Sequence, residues 1–254
     1  MEDRIKNIAF YIQARTGSTR LPNKILLAFE NENSILDIIV DKIATNFPDI
    51  PIVVCTTINV SDNKIEELCI RKSISYFRGC ESNVLNRFLE ASEKFNTDVI
   101  IRICADNPFL DIGFLNELIE FYKSNIYADY WSFKNCNNVP VIKMHYGFFA
   151  EIVTKEALRK VSQLTTEAYY LEHVTNYIYS HTGFICILKS LPDFLNRRED
   201  LRFTIDDNED FKILQDVYKF HKENSYEIRK TISHVDKIKY ISDAMMRNIK
   251  KHSK

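Results

Sequence analysis

Apolar and polar positions follow two rhythms along the first half of the chain. Short continuous runs of β-branched and aromatic residues occur at Asn7-Ile8-Ala9-Phe10-Tyr11-Ile12, at residues 51–56, at 74–77 and at 98–104. The continuous β-branched run at 51–56 predicts a buried parallel strand, 74–77 a short strand and 98–104 a further central one. Between them the spacing changes to that of amphipathic helices. Ser34 stands where it can cap a helix whose apolar face is Ile35, Leu36, Ile39, Val40 and Ile43. Ser61 stands likewise before Ile65, Leu68 and Cys69, and a third helix centres on Val84, Leu85, Phe88 and Leu89. Asp111 opens a fourth, with Leu115, Leu118, Ile119 and Tyr122 on one side. This βαβα alternation predicts an α/β protein with a doubly wound, mostly parallel sheet.

Beyond Ala128 the pattern changes. Strands are predicted at 129–133, 146–153 and 183–189, and helices at 155–161 and 167–179. A last strand at 201–205 runs into Asp206-Asp207, and the chain is helical from Glu209. No repeat, low-complexity tract or linker divides it. The pattern predicts one domain over 1–250, in which 134–190 forms a subdomain, a small β arm or a dimer contact, and a frayed basic tail at 251–254.

With 254 residues the chain can bury a substantial core, and 45% hydrophobic against 27% charged residues is ordinary for a globular protein. Thirty-four basic and 35 acidic residues argue against a nucleic-acid-coating protein. Anion affinity must then be local. The six cysteines are scattered without a C-x-x-C pair, which speaks against a zinc site or a disulfide framework. No run approaches the roughly 18 apolar residues of a membrane span, and Met-Glu-Asp-Arg begins no signal segment, so the expected location is the cytoplasm, away from membranes.

Local anion affinity is concentrated after the first strand, in Gln13-Ala14-Arg15-Thr16-Gly17-Ser18-Thr19-Arg20-Leu21-Pro22-Asn23-Lys24. Three cations, one glycine and three hydroxyls fall within ten positions. Glycine lets backbone N–H groups approach phosphate oxygens, and the cations supply charge for a triphosphate. Neither the P-loop spacing nor a G-x-G-x-x-G turn is present. The other predicted strand ends carry Thr56 and Thr57, Arg78 and Gly79, Asp106, and Asp206 with Asp207, one of which is expected to cap the following helix. In a parallel sheet these ends share one edge. Two carboxylates facing a cationic loop suit a Mg²⁺-nucleotide, because magnesium takes one or two protein carboxylates and completes its shell with phosphate and water.

The loop resembles the N-terminal signature of the cytidylyltransferases that make CMP-Kdo and CMP-sialic acid, most nearly the branch named for the spore coat polysaccharide protein SpsF. Val54-Cys55-Thr56-Thr57 is similar to that family's V-A-T-T. Phe77-Arg78-Gly79 through Val84-Leu85-Asn86-Arg87-Phe88 resembles F-R-G…V-L-x-R-F, and Arg102-Ile103-Cys104-Ala105-Asp106-Asn107-Pro108 resembles R-I-T-G-D-C-P. Glu172-His173-Val174-Thr175 and Leu201-Arg202-Phe203-Thr204-Ile205-Asp206 match E-H-V-T and L-R-L-T-V-D. The ordered matches cover nearly all of residues 5–220. The resemblance implies a glycosyltransferase-A-like fold and transfer of CMP from CTP to a sugar or sugar-acid acceptor, with release of pyrophosphate, for surface polysaccharide or glycan synthesis. It implies that Arg15 and Lys24 bind the triphosphate, that Ala14 and Gly17 offer backbone contacts, and that Asp106 and Asp206 hold Mg²⁺. Thr56 and Arg78 would lie around the nucleotide.

The sequence departs from that family at Phe149, which replaces an aspartate in a G-L-D-V-E stretch and leaves Glu151. It departs also at Cys104-Ala105, in place of Thr-Gly, and at Asn83, in place of aspartate. These changes fall on the expected acceptor side. His173 is either an acceptor contact or a packing residue, and a general base is optional. Two alternatives stand beside the main reading: a transferase acting on a sugar phosphate, phosphonate or other phosphorylated small molecule, and a non-catalytic nucleotide-binding relative. The resemblance, with aromatic Tyr130, Trp131, Phe133 and Phe148, further suggests a homodimer formed through 134–190.

Overall fold

The computed structural model describes residues 6–252. In chain order its elements are β1 (Ile8–Gln13), β2 (Ala28–Glu30), β3 (Asn33–Ser34), α1 (Ile35–Asn46), β4 (Ile52–Thr57), α2 (Asn63–Arg71), β5 (Ser75–Gly79), α3 (Val84–Lys94), β6 (Val99–Cys104) and α4 (Ile112–Lys123). There follow β7 (Tyr130–Lys134), β8 (Glu151–Thr154), α5 (Lys155–Leu164), α6 (Ala168–Glu172), α7 (Asn176–Ser180), β9 (Cys186–Ser190), α8 (Asn208–Glu223), α9 (Ile228–Asp236) and α10 (Lys239–His252).

Seven strands form one sheet in the order β5-β4-β1-β6-β8-β7-β9. Strand β8 pairs antiparallel with β6 and β7, and the remaining pairings are parallel. All six residues of β4 are buried, as expected for a strand covered by helices on both faces. Helix α1 begins with a capping box: the Ser34 hydroxyl accepts from the Asp37 N–H, and Asp37 accepts from the Ser34 N–H. Because β1 is central, its carboxyl end and the loop that follows sit in the middle of one sheet edge, between β4 and β6. The small antiparallel sheet is the β2–β3 pair at residues 28–34, whereas β8 and β9, within 134–190, are strands of the main sheet.

Several predicted elements are corrected. Helix α2 follows a 3-10 turn at Val60–Asp62, and its cap position is Asp62 rather than Ser61. Residues 146–150 are irregular and outside the ladder, with Gly147 at a left-handed φ of 67°, and β8 starts at Glu151. The segment 201–205 forms no strand either; Phe203 N–H donates to the His145 carbonyl at 2.8 Å and Ile205 N–H to that of Asp106 at 3.2 Å. The helix expected over 167–179 breaks into α6 and α7 around His173. Tyr130, Trp131, Phe133 and Phe148 are core residues, each at most 1% exposed, with Trp131 edge-on to Tyr122 and Phe148 against Phe203. They provide no dimer surface. At the ends, α10 continues through His252, while the opening Met-Glu-Asp-Arg and positions 253–254 lie outside the described residues. Among the described residues no helix is long and apolar enough to cross a membrane.

Candidate active site

A cavity of about 850 Å³ opens over the carboxyl ends of β1 and β6. One wall is the anion loop, with Arg15, Gly17, Arg20 and Lys24; the end of β6 and the turn after it add Cys104 and Asp106. Phe149, Glu172, His173 and Asp206 complete the surround.

Lys24 organises the centre. It sits in a 3-10 turn at Lys24–Leu26 that is entered through left-handed Asn23, and its stem is buried. Its Nζ donates to Asp106 Oδ2 at 2.9 Å and to the Ile205 carbonyl at 2.5 Å, and lies 3.7 Å from Asp206 Oδ1. Two carboxylates from distant parts of the chain therefore face one point beside the loop. Arg20 donates to Asp206 Oδ1 at 2.8 Å. Burial opposes ionisation of Asp206, but Lys24, Arg202 and Arg20 hold its carboxyl below the usual range. Asp207 takes the capping role, accepting from the N–H groups of Glu209 and Asp210.

Arg15 is half-exposed at the cavity rim; its Nη2 donates to Glu172 Oε1 at 3.1 Å, and Nη1 lies 3.9 Å from Glu81 Oε1. Glu172 belongs to α6, a short helix with no buried residue. Through Glu172 the E-H-V-T motif thus meets the cationic loop.

The loop is held from behind by Asp62, a residue the sequence reading missed. Its Oδ1 accepts from the Thr16 N–H at 2.8 Å and the Thr16 hydroxyl at 2.5 Å. Its Oδ2 accepts from the Thr57 hydroxyl at 2.5 Å, the Thr56 hydroxyl at 3.2 Å and the Thr57 N–H at 3.3 Å. Asp62 is 1% exposed. Burial opposes its ionisation, yet the donors from Thr16, Thr57 and Thr56 outweigh it and keep the carboxyl below its ordinary range. The available signal was an acid five positions beyond the second threonine of the strand end.

Of the residues expected around a nucleotide, Arg15, Gly17, Lys24, Asp106 and Asp206 share the cavity, whereas Ala14, Thr56 and Arg78 do not line it. Ala14 is buried, and its N–H donates to the Cys55 carbonyl at 3.1 Å. Thr56 belongs to the Asp62 latch. Arg78 is spent on the neighbouring turn, donating to the carbonyls of Thr57 (2.9 Å) and Asn59 (2.7 Å) and to Asn63 Oδ1 (2.8 Å) and Glu66 Oε2 (2.5 Å).

On the opposite side, Arg102 and Glu151 form a buried pair at 2.6 Å. Tyr130 and Thr175 hydroxyls donate to Glu151 Oε2 at 2.9 and 2.7 Å, and Arg102 donates twice to Gln13 Oε1, at 2.8 and 3.3 Å. Arginine has no acceptor, so this contact turns the Gln13 amide nitrogen away from Arg102. Among the departures from the family pattern, Phe149 lines the cavity and packs on Phe114 and Phe133. Cys104 also lines it, with burial pushing its thiol up to about 11. Asn83 instead caps α3, accepting from the Asn86 N–H.

Among the described residues no group of three or more His, Cys, Asp or Glu side chains could hold a metal alone. Asp106 and Asp206 nevertheless offer hard oxygen donors around one point, and this set fits magnesium bound jointly with a polyphosphate.

A family model described as cytidylyltransferase matches residues 9–241. An uncharacterized protein of Methanocaldococcus jannaschii is 37% identical over 226 residues, 89% of each chain. The spore coat polysaccharide biosynthesis protein SpsF of Bacillus subtilis is 32% identical over 221 residues, covering 84% of this chain and 87% of SpsF. Among solved structures, a cytidylyltransferase from Leptospira borgpetersenii superposes with a TM-score of 0.80 at 27% identity, covering 93% of this chain and 96% of that one.

Proposed function

The chain belongs to the cytidylyltransferase family, and from that premise we propose that it transfers CMP from CTP to an oxygen of a sugar or sugar-acid acceptor, releasing pyrophosphate, in the synthesis of a surface polysaccharide or glycan. The observation that carries this reading is the Lys24 ammonium between Asp106 and Asp206, at the end of a loop that also presents Arg15 and Gly17. Arg15 and Lys24 take the triphosphate, with Lys24 nearest the α-phosphate. Asp106 and Asp206 would hold Mg²⁺, which when bound neutralises charge developing on the phosphates.

The acceptor occupies the half of the cavity bounded by Gln13, Phe149 and His173. Its oxygen forms a bond to the α-phosphorus while the bond to the pyrophosphate oxygen breaks on the opposite side. Such transfers depend on alignment and charge neutralisation rather than on a covalent enzyme intermediate. Phe149 gives this half an apolar wall, suiting an acceptor with a deoxy or acylated face.

The test mixes the protein with each nucleoside triphosphate, Mg²⁺ and pyrophosphatase across a panel of sugar acids, sugars and their phosphates. Phosphate release with CTP and one acceptor class is expected, and product mass separates a one-phosphorus from a two-phosphorus product. No release with any CTP–acceptor pair, together with no CTP binding by calorimetry, rejects the reading.

A further inference from the structure

Asp106 is placed by the end of a sheet strand, but Asp206 is not: it follows an irregular segment with no ladder of its own. What aims its carboxylate is a polar chain on the side away from the cavity. Arg202, with a fully buried side chain, donates from Nη2 to Asp206 Oδ2 at 2.7 Å and to Asp210 Oδ2 at 2.7 Å, and from Nε to Asp210 Oδ1 at 2.9 Å. The second guanidinium nitrogen meets His145 Nδ1 at 2.7 Å.

Asp210, in the first turn of α8, accepts the Asp206 N–H at Oδ2 (2.9 Å) and the Asn248 amide at Oδ1 (2.9 Å). Asn248 lies on α10 and is 3% exposed. The Arg202–Asp210 fork fixes the guanidinium plane, as a bidentate pair does. With Oδ2 engaged from behind, Asp206 presents Oδ1 towards Lys24 and Arg20. Arg202, Asp210 and Asn248 line no part of the cavity, whereas Asp206 does.

We infer that Arg202 is a positioning residue: clamped by Asp210 and Asn248, it sets which oxygen of Asp206 faces the locus shared by Lys24 and Asp106, so that the C-terminal helix α10 is the last link in building the cation–triphosphate site. The inference rests on the reading of Asp206 given under Proposed function. It also gives α8 and α10, which carry none of the cavity's charged groups themselves, a share in the chemistry.

A purely structural ion pair and a positioning clamp predict different losses. Lysine at 202 keeps the charge but loses the fork. Calorimetric titration of CTP, with Mg²⁺ and with EDTA, is compared for wild type, Arg202→Lys and Asn248→Ala, with circular dichroism confirming the fold. Arg202→Lys is expected to weaken CTP binding in Mg²⁺ at least tenfold while changing it less than twofold in EDTA. Asn248→Ala is expected to move the same ratio in the same direction by roughly threefold. Folded variants that melt earlier but keep the wild-type ratio overturn the inference; if Arg202→Lys does not fold, an unchanged ratio in Asn248→Ala does so. Wild-type protein that binds no CTP in either buffer rejects the function first, and the clamp with it.

Discussion

Replacing Asp62 by asparagine tests whether the anion loop is shaped from behind. The substitution conserves size but exchanges an acceptor-only oxygen for an N–H₂ group. At present five donors converge on the carboxylate: two from Thr16, two from Thr57 and one from Thr56. An asparagine oxygen can keep the Thr16 pair. The Thr57 N–H then faces a donor, and the Thr56 and Thr57 hydroxyls, which can only accept from that N–H₂, lose the acceptor for their own protons in a place with no water access, since both residues are fully buried. Hydrogen bonds to a charged group are worth about 1.5–3 kcal/mol, and a stranded buried donor costs about 1–3. A destabilisation of about 2–4 kcal/mol follows, which for a chain of this size lowers the melting temperature by about 4–8 °C.

The sign of the pH dependence is also fixed. A carboxyl whose pKa is lower folded than unfolded stabilises the protein above the unfolded value, about 3.9, and that stability is lost as pH falls through the lower folded value. The gap between wild type and Asp62→Asn therefore persists at neutral pH and closes below about pH 4. Urea unfolding followed by the buried Trp131, the one tryptophan of the chain, reads the gap. Calorimetry on the folded variant should show CTP affinity reduced roughly tenfold, because the Thr16–Gly17 backbone is no longer fixed. A variant with wild-type melting and wild-type CTP affinity refutes the latch.

Three further outcomes are expected. Glu172→Gln removes a half-exposed carboxylate that competes for Arg15, and should raise CTP affinity roughly two- to fivefold at low salt, a gain that fades in high salt in the same titration. Gly147→Ala places a Cβ 2.6 Å from the Phe203 carbonyl oxygen at a φ of +67°; a loss of at least about 2 kcal/mol of unfolding free energy, measured by urea denaturation, is expected, and a neutral result would refute this tight approach. Burial pushes the His221 imidazole down to about 3, so the folded state stays unprotonated where the unfolded chain takes up a proton. Stability should fall as pH drops below about 6.5, by about 2 kcal/mol at pH 5, and His221→Gln should flatten that slope in unfolding measured from pH 7 to 5.

The parallel half of the sheet was legible because β1, β4 and β6 are mainly apolar runs and each helix carries its own stripe; α1 shows even its capping box in Ser34 and Asp37. Residues 146–150 and 201–205 misled for a shared reason. Their apolar side chains are buried like those of strands, but each segment's partner is the other or a turn, not a ladder, and apolar pattern does not encode pairing. The aromatic residues near 130 and 148 misled in the opposite sense, since ring content alone does not separate a core face from an exposed patch. At the site, the residues that face the cavity stood out by charge and by position after strands. Those that hold them, Asp62 behind Thr16 and Arg202 behind Asp206, are distant in sequence or lie on irregular segments, where spacing gives no rule.

The position of β1 at the centre of the sheet has a consequence for the order of assembly. The first strand made finds one neighbour in β4 and the other in β6, about ninety residues later. Lys24 reaches its Ile205 acceptor across 181 positions, and the Asp210–Asn248 link waits for the last helix. Contacts of such span form late, because closing long loops costs entropy before any contact repays it. A chain of which fewer than 206 residues have been made, or one truncated before Asp206, carries the whole cationic loop without its second carboxylate. The loop is thus among the first parts synthesised and among the last to gain its partners, so the proposed triphosphate site is not assembled until the polypeptide is nearly whole.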